Sequence, residues 1–181
     1  MISEKNLKTI ENIIYLFDSN IYRKREILMD IDQVHRDIFY IKKGVARIFY
    51  YDDKAQDHTH WISSDHSFIA LFSSVLSGKA VPFGIEVLED NSEIFRLPYR
   101  QLLELKSNIP EIQQFMEDLF AQSLITMGNR LMDQQIKTTD QRYSDFVVAH
   151  PDWLQRINLG YIAGYLGMTQ QQLSKVRAQQ K

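Results

Sequence analysis

The chain has no cysteine. That excludes disulfides, thiolate zinc sites and cysteine-ligated iron–sulfur clusters, and it fits a reducing compartment. Long hydrophobic runs are missing as well. The longest, residues 67–76, is too short to span a bilayer and is interrupted by serines. The opening Met1-Ile2-Ser3-Glu4-Lys5 leads into an amphipathic stretch rather than the apolar segment of a secretory signal. The expectation is a cytoplasmic protein with no membrane contact. Strong charge of either sign is also lacking: the formal net charge is −2 over 181 residues, so the molecule as a whole does not attract nucleic acid. No nucleophile–base–acid set stands at motif spacing. There is no phosphate-cradling glycine loop and no carboxylate pair in a catalytic setting, so no enzyme is expected.

What is present concentrates at the carboxy-terminal end. Residues 159–177 carry the pattern of a helix-turn-helix. Ile162 and Ala163 share a helical turn, Leu166 closes the first helix, and Gly167 stands where the turn needs φ > 0. Met168 is the buried hinge residue, and Thr169 suits the N-cap of a second helix. Leu173 and Val176, three residues apart, form the inward face of that helix. Ala163 lets the two helices cross closely. The residues pointing outward are polar and free of acid, and they are the candidate DNA contacts. Gln170, Gln171, Ser174 and Lys175 are placed for base edges, and Thr169 and Arg177 for phosphates. From residue 138 onward five Lys or Arg stand against three acids. This footprint is weak, and affinity would need two copies acting together.

Upstream the periodicity changes twice. A short helix starting at Ser3 and Glu4 puts Leu7, Ile10, Ile14 and Phe17 on one face. Short runs at 26–30, 37–41, 45–51, 57–62, 83–88 and 93–97, separated by turns such as Lys42-Lys43-Gly44 and Asp52-Asp53-Lys54, predict an antiparallel β-roll. From Pro98 the pattern is helical. Pro110 opens a helix of about 25 residues, roughly 37 Å long. Its wide apolar stripe (Ile112, Phe115, Met116, Leu119, Phe120, Leu124, Met127, Leu131) should bury one edge on the roll and offer the other to a second copy. Ser123 and Gly128 leave room for that copy to approach. Thr138 and Thr139 cap a helix through Ala149, and His150-Pro151-Asp152 ends it. The expected class is α+β: an antiparallel β-roll (a double-stranded β-helix) over 1–109, a dimerisation helix over 110–137 and a helix-turn-helix domain over 138–181.

Three segments carry a resemblance to a known family: Ile38-Phe39-Tyr40-Ile41-Lys42-Lys43-Gly44-Val45-Ala46-Arg47, Gly84-Ile85-Glu86-Val87-Leu88-Glu89-Asp90, and Tyr161-Ile162-Ala163-Gly164-Tyr165-Leu166-Gly167-Met168-Thr169. With the order of the parts, they make the chain resemble the Crp/Fnr regulators of bacterial transcription, most of all the small members found in Bacteroidetes. The resemblance implies a cyclic-nucleotide-binding-like roll and a homodimer that binds a two-fold-symmetric site on double-stranded DNA. Members that bind cyclic nucleotides carry a Gly-Glu-Leu turn and a later Arg-Ser or Arg-Thr pair. Here Asp65-His66-Ser67-Phe68-Ile69 and Gly78-Lys79-Ala80-Val81-Pro82-Phe83 stand in those places. A buried phosphate needs charge-assisted donors, and Lys79 is the one cation nearby, so cAMP is not the expected effector. Where the family opens its recognition helix with Arg-Glu, this chain has Gln170 and Gln171, with Lys175 in place of the later arginine. Glutamine favours adenine, and lysine accepts guanine or phosphate.

A competing reading is a cupin-like roll, possibly an enzyme, that binds a metal or small ligand and whose helical tail only packs or dimerises. His58 and His60 flank Thr59 on a strand and so share a face. The cupin pattern wants a glutamate soon after and a later histidine on the roll; Ser64 and Asp65 follow instead. Two histidines on a wet strand face are the plainer reading, and no metal or cofactor is expected. Phe49, Trp61, Phe68, Lys79 and Phe83 are the candidate lining of a pocket for an effector of unknown identity, unless these rings simply fill the roll.

Overall fold

The computed structural model describes residues 4–179, with side chains from residue 8 onward. Ser3, the Leu7 side chain and Lys181 lie outside the described residues. Helix α1 (Glu4–Ile13) and a 3-10 turn (Ile14–Leu16) lead into β1 (Asp18–Tyr22) and β2 (Ile27–Met29). Strands β3 (Asp37–Lys43), β4 (Val45–Tyr51), β5 (Asp57–Ser64) and β6 (Ser67–Ile69) follow. Then come α2 (Phe72–Ser77), β7 (Gly84–Val87) and β8 (Ser92–Pro98). The rest is helical: α3 (Tyr99–Leu105), α4 (Pro110–Ile136), α5 (Thr139–Ala149), α6 (Trp153–Arg156), α7 (Leu159–Tyr165) and α8 (Gln170–Gln179). No helix among the described residues is long and apolar enough to cross a membrane.

The strands form two antiparallel four-stranded sheets, in the orders β1-β8-β3-β6 and β2-β7-β4-β5. Side chains alternate across a strand, and in this roll both faces of the central strands are covered. Phe39 and Ile41 of β3 meet Ala46 and Ile48 of β4 between the sheets, with Ile85, Val87 and Ile94. The opposite face of β3, Ile38 and Tyr40, packs under α1, α3 and the first half of α4 through Ile10, Leu102, Ile112 and Phe115. The opposite face of the second sheet contributes Val45, Ile62 and Leu88 to a third core, whose other side is the helical end of the chain: Tyr143, Phe146, Trp153, Ile162 and Leu173. Residues 38–41 and 45–49 read as unbroken apolar or aromatic runs, apart from Arg47, because both of their faces are buried.

Two elements differ from the sequence expectation. Strand β1 is an extra edge strand paired with β8. Four of its five residues are exposed, so it carries no period-two pattern. The run 67–76 is not one segment: β6 pairs with β3, and α2 then bends away. Elsewhere strands lie within one or two residues of the expected bounds. Thr138 caps α5 through a capping box with Gln141: its hydroxyl accepts from the Gln141 amide at 3.3 Å, and the Gln141 side chain accepts from the Thr138 amide at 2.9 Å.

Helix α7 lies directly on β5. A Cβ added at Gly164 would stand 3.2 Å from both the backbone N and O of Thr59. That is too close for neighbours fixed by a β-ladder. Gly164→Ala should therefore cost about 1–3 kcal/mol by overpacking, read as a lowered midpoint in urea denaturation.

Candidate nucleic-acid interface

The helix-turn-helix is built from local signals. Asn158 caps α7, its Oδ1 accepting from the Gly160 amide at 2.8 Å. The helix closes with Leu166 N donating to Ile162 O, Gly167 N to Gly164 O and Met168 N to Ala163 O, at 2.9–3.0 Å. Gly167 has φ +66°, the left-handed geometry that glycine tolerates without cost. Thr169 and Gln172 then form a capping box for α8: Thr169 Oγ1 accepts from Gln172 N at 3.2 Å, and Gln172 Oε1 accepts from Thr169 N at 2.8 Å. Leu173 and Val176 are buried against α7 and α5 with Ile162, Ala163 and Met168.

The opposite face of α8 is bare. Thr169, Gln170, Gln171, Ser174 and Lys175 are exposed, and Arg177 is half-buried. α8 contains no acid, so nothing on this face repels phosphate. Of the cations counted from residue 138 onward, two are not free to act there. Arg142 donates to the carbonyls of Leu166 and Lys137, bracing the turn. Arg156 is surrounded by carboxylates: it donates to Asp65 at 2.6 Å, to Glu89 at 2.7 and 2.8 Å and to Asp152 at 2.7 Å. Its hydrogen bonds to these acids hold the guanidinium charged well above the ordinary arginine range. On Asp65, burial works against the charge, but Arg156 and the Gly44 amide outweigh it and keep the carboxyl below its usual range.

Arg156 is one of three arginines that seat the helical head on the roll. Arg47 is only 2% exposed. It donates to Glu86 at 2.7 Å, to both oxygens of Asp57 at 2.6 Å and to Thr59 at 3.1 Å. The Tyr161 ring lies 3.9 Å over its guanidinium. Arg130, from the middle of α4, donates to the carbonyl of Tyr165 at 2.7 Å and to that of His60, so α4, β5 and α7 meet at one side chain. Beside it a groove of about 220 Å³ opens between α4 and the head, lined by Trp61, Arg130, Phe146, His150 and Tyr165 among others. The sequence reading missed this seat. Its one visible signal was Arg47, a cation within an apolar strand, whose directly paired neighbour on β7 is Glu86.

The five residues expected to line an effector pocket do not converge. Phe68 packs on Tyr40 and Phe115 under the helices. Phe49 lies beneath Arg47 and beside Tyr51 on the other face of the roll. Phe83 meets Tyr50 and His60. Trp61 borders the groove beneath Tyr165, and Lys79 is exposed. Trp61 and Phe83 pack against the core between the sheets and Phe68 against the core under α1, α3 and α4, so the five do not share one cavity. His58 and His60 have separate partners. His58 pairs with Asp52 at 3.0 Å and stacks on Tyr50, whereas His60 packs on Phe83. No group of three or more His, Asp or Glu among the described residues is placed to share a metal ion.

No family model matches the chain, and no curated protein matches it. Solved structures do. FixK2 from Bradyrhizobium japonicum superimposes with a TM-score of 0.75 at 14% identity, covering 90% of this chain and 83% of that one. A CooA mutant from Carboxydothermus hydrogenoformans gives 0.72 at 17% identity, over 99% and 85% of the two chains. CLP of Xanthomonas campestris, described as a c-di-GMP-responsive global regulator, gives 0.69 at 13% identity over 96% and 90%. The chain has the fold of the Crp/Fnr regulators: a cyclic-nucleotide-binding-like β-roll, a long helix and a helical end.

The aromatic seat carries a pH dependence. His150 stacks on Trp153 at 3.8 Å with Phe146 and Tyr165 close by. Burial lowers its pKa, which Asp152 only partly offsets. A base whose folded pKa is depressed favours folding above its unfolded value, near 6.5, and loses that contribution as the pH falls below it. The thermal midpoint should therefore drop between pH 7.5 and 5.5 by more in the wild type than in His150→Phe, and parallel profiles would show that His150 does not titrate against folding.

Proposed function

We propose that the chain is a homodimeric DNA-binding regulator of transcription that works in the cytoplasm. The roll (1–109) is its effector domain, α4 (110–137) its dimer contact and the head (138–181) its reader. The observation that carries this reading is α8: a capped helix, its inner face locked by Leu173 and Val176, with a polar outer face that is solvent-exposed and contains no acid. Such a helix suits the major groove. Gln170, Gln171, Ser174 and Lys175 contact bases, while Thr169 and Arg177 contact phosphates. No enzymatic role is assigned. The effector is a small molecule other than cAMP, since Asp65 is committed to Arg156 and Gly44; Lys79 is exposed, and against the sequence expectation it is not the one cation nearby, because the Arg36 guanidinium lies against Gly78.

The dimer rests on α4. At about 100° per residue, Leu124, Met127 and Leu131 fall within about 60° of one another, with Ile125, Met132 and Ile136 extending the arc to about half the circumference. All six are exposed, Leu124 and Ile136 at 74% and 76%. Ile112, Phe115 and Leu119, which pack on the roll, and Arg130, which meets the head, occupy the opposite pole, with Met116 at the border between the two faces. Gly128 lies within the bare arc with nothing near its Cα. A second copy covers this face and sets two α8 helices about 34 Å apart, one turn of the duplex.

Two substitutions test the reading. Gln171→Ala should weaken binding to a site selected from random duplex by about 1–3 kcal/mol and relax preference at one position, leaving non-specific binding intact; an unchanged footprint at that site would remove Gln171 from the base contacts. Leu131→Glu should yield a folded monomer in sedimentation analysis that no longer holds the two-fold site. A wild-type chain that sediments as a monomer at micromolar concentration would overturn the dimer.

A further inference from the structure

Of the three arginines that seat the head, Arg130 alone has no carboxylate. Arg47 is matched by Asp57 and Glu86, and Arg156 by Asp65, Glu89 and Asp152. Arg130 has two backbone carbonyls and two rings: its guanidinium lies 5.3 Å from the centre of the Trp61 ring and 4.9 Å from that of Tyr165. Burial draws its pKa below the ordinary arginine range, and the neighbouring Tyr165 phenol offsets only part of that. Arg142 stands in the same condition. The two donate to consecutive carbonyls, Arg130 to Tyr165 and Arg142 to Leu166, and neither forms an ion pair among the described residues. These carbonyls end α7. A helix end carries at most about half a negative charge, against two full positive ones.

Both guanidiniums line the groove between α4 and the head. Asp133 and Asp145 line it as well, but each is held by Lys137, at 2.8 and 2.9 Å. One ammonium thus serves two carboxylates, and with the two arginines the groove keeps one net positive charge. His150, whose pKa is lowered by burial, adds none at neutral pH. The walls are aromatic. Trp61 and Tyr165 meet edge to face at 5.8 Å, and Phe146 stands 6.3 Å from Tyr165. A volume of about 220 Å³ falls below the roughly 300–1,000 Å³ of sites for drug-sized ligands, so it suits one ring rather than a nucleotide. The α4 residues of the groove centre on the pole opposite the bare arc, so pairing along α4 does not fill it.

We infer that this groove binds a one-ring aromatic carboxylate, its ring among Trp61, Phe146 and Tyr165 and its carboxylate on Arg130 and Arg142. A monoanion matches the net charge, and a guanidinium pairs with a carboxylate through parallel N–H···O bonds. A ring entering between tilted rings gains further edge-to-face contact. The site touches the roll through Trp61, α4 through Arg130 and the head through Arg142 and Tyr165, and it lies outside the interior of the roll. That such a ligand is the effector rests on the regulator reading proposed above; that it binds does not.

The test titrates benzoate into the full chain, followed by calorimetry and by tryptophan fluorescence. The chain's two tryptophans are Trp61, in the groove, and Trp153, stacked on the lining residue His150. Benzoate should bind once per chain with a dissociation constant below about 1 mM and change the emission. Benzamide keeps the ring without the charge, and acetate keeps the charge without the ring; each should bind at least about tenfold more weakly. Arg142→Gln should lower benzoate affinity about tenfold. Because Arg142 also braces the turn, a second variant, Ala149→Phe, fills the groove from an exposed position on α5 and keeps both arginines; it should abolish binding. No saturable binding of benzoate by the wild type, equal binding of benzamide or acetate, or wild-type affinity in Ala149→Phe overturns the inference. If the wild type binds no selected duplex, the regulator reading fails, and the titration still decides the site. Benzoate binding that leaves duplex affinity unchanged keeps the site and overturns its role as the effector site.

Discussion

A guanidinium removed from water needs its charge matched and its donors filled, and Arg47 meets that demand with parts drawn from three elements. Glu86 comes from β7, Asp57 and Thr59 from β5, and the Tyr161 ring from the head. Burial opposes the charge, but the two carboxylates outweigh it. Removing one partner of such a set leaves an unmatched charge in a low-dielectric site. The position of α7 on the second sheet is therefore tied to the register of β4 against both of its neighbours. Arg156 and Arg130 repeat the principle at either side, one with carboxylates and one with backbone carbonyls. Head and roll are joined by matched polar contacts as well as by apolar packing.

This arrangement divides the work of the cations. Those that would give a DNA-binding head its general attraction are used to hold it in place, so the proposed reader is nearly neutral. On that proposal the reader relies on hydrogen bonds to base edges and on pairing along α4.

The fold was legible wherever a residue's local chemistry and its tertiary place agreed. The run 45–51 is a strand on both accounts, Thr138 caps a helix whatever surrounds it, and Gly167 marks its turn by backbone geometry alone. Strand β1 was not legible, because its polar, exposed residues make a strand only through the ladder that β8 offers. The outward face of α8 could be read from helical period. The seat beneath it could not: Arg47, Arg130 and Arg156 are 26 or more positions apart, and their partners are set by sheet register. The scatter of the residues expected to line a pocket was hidden for a related reason. Phe49 and Phe68 look alike as letters, but the one lies against Arg47 and the other against Phe115, because they stand on strands of different sheets.

Strand β4 contributes Ala46 and Ile48 to one core and Val45 to the next. Val45, Ile62 and Leu88 are covered only because the helical end lies across them. Excising that end would not release a tidy sensor module. It would uncover a greasy sheet surface with an arginine and two acids stranded at its centre, prone to self-association. The boundary drawn by function is thus not a boundary for folding: the two parts emerge from synthesis as separate stretches, but neither is finished until the other has arrived.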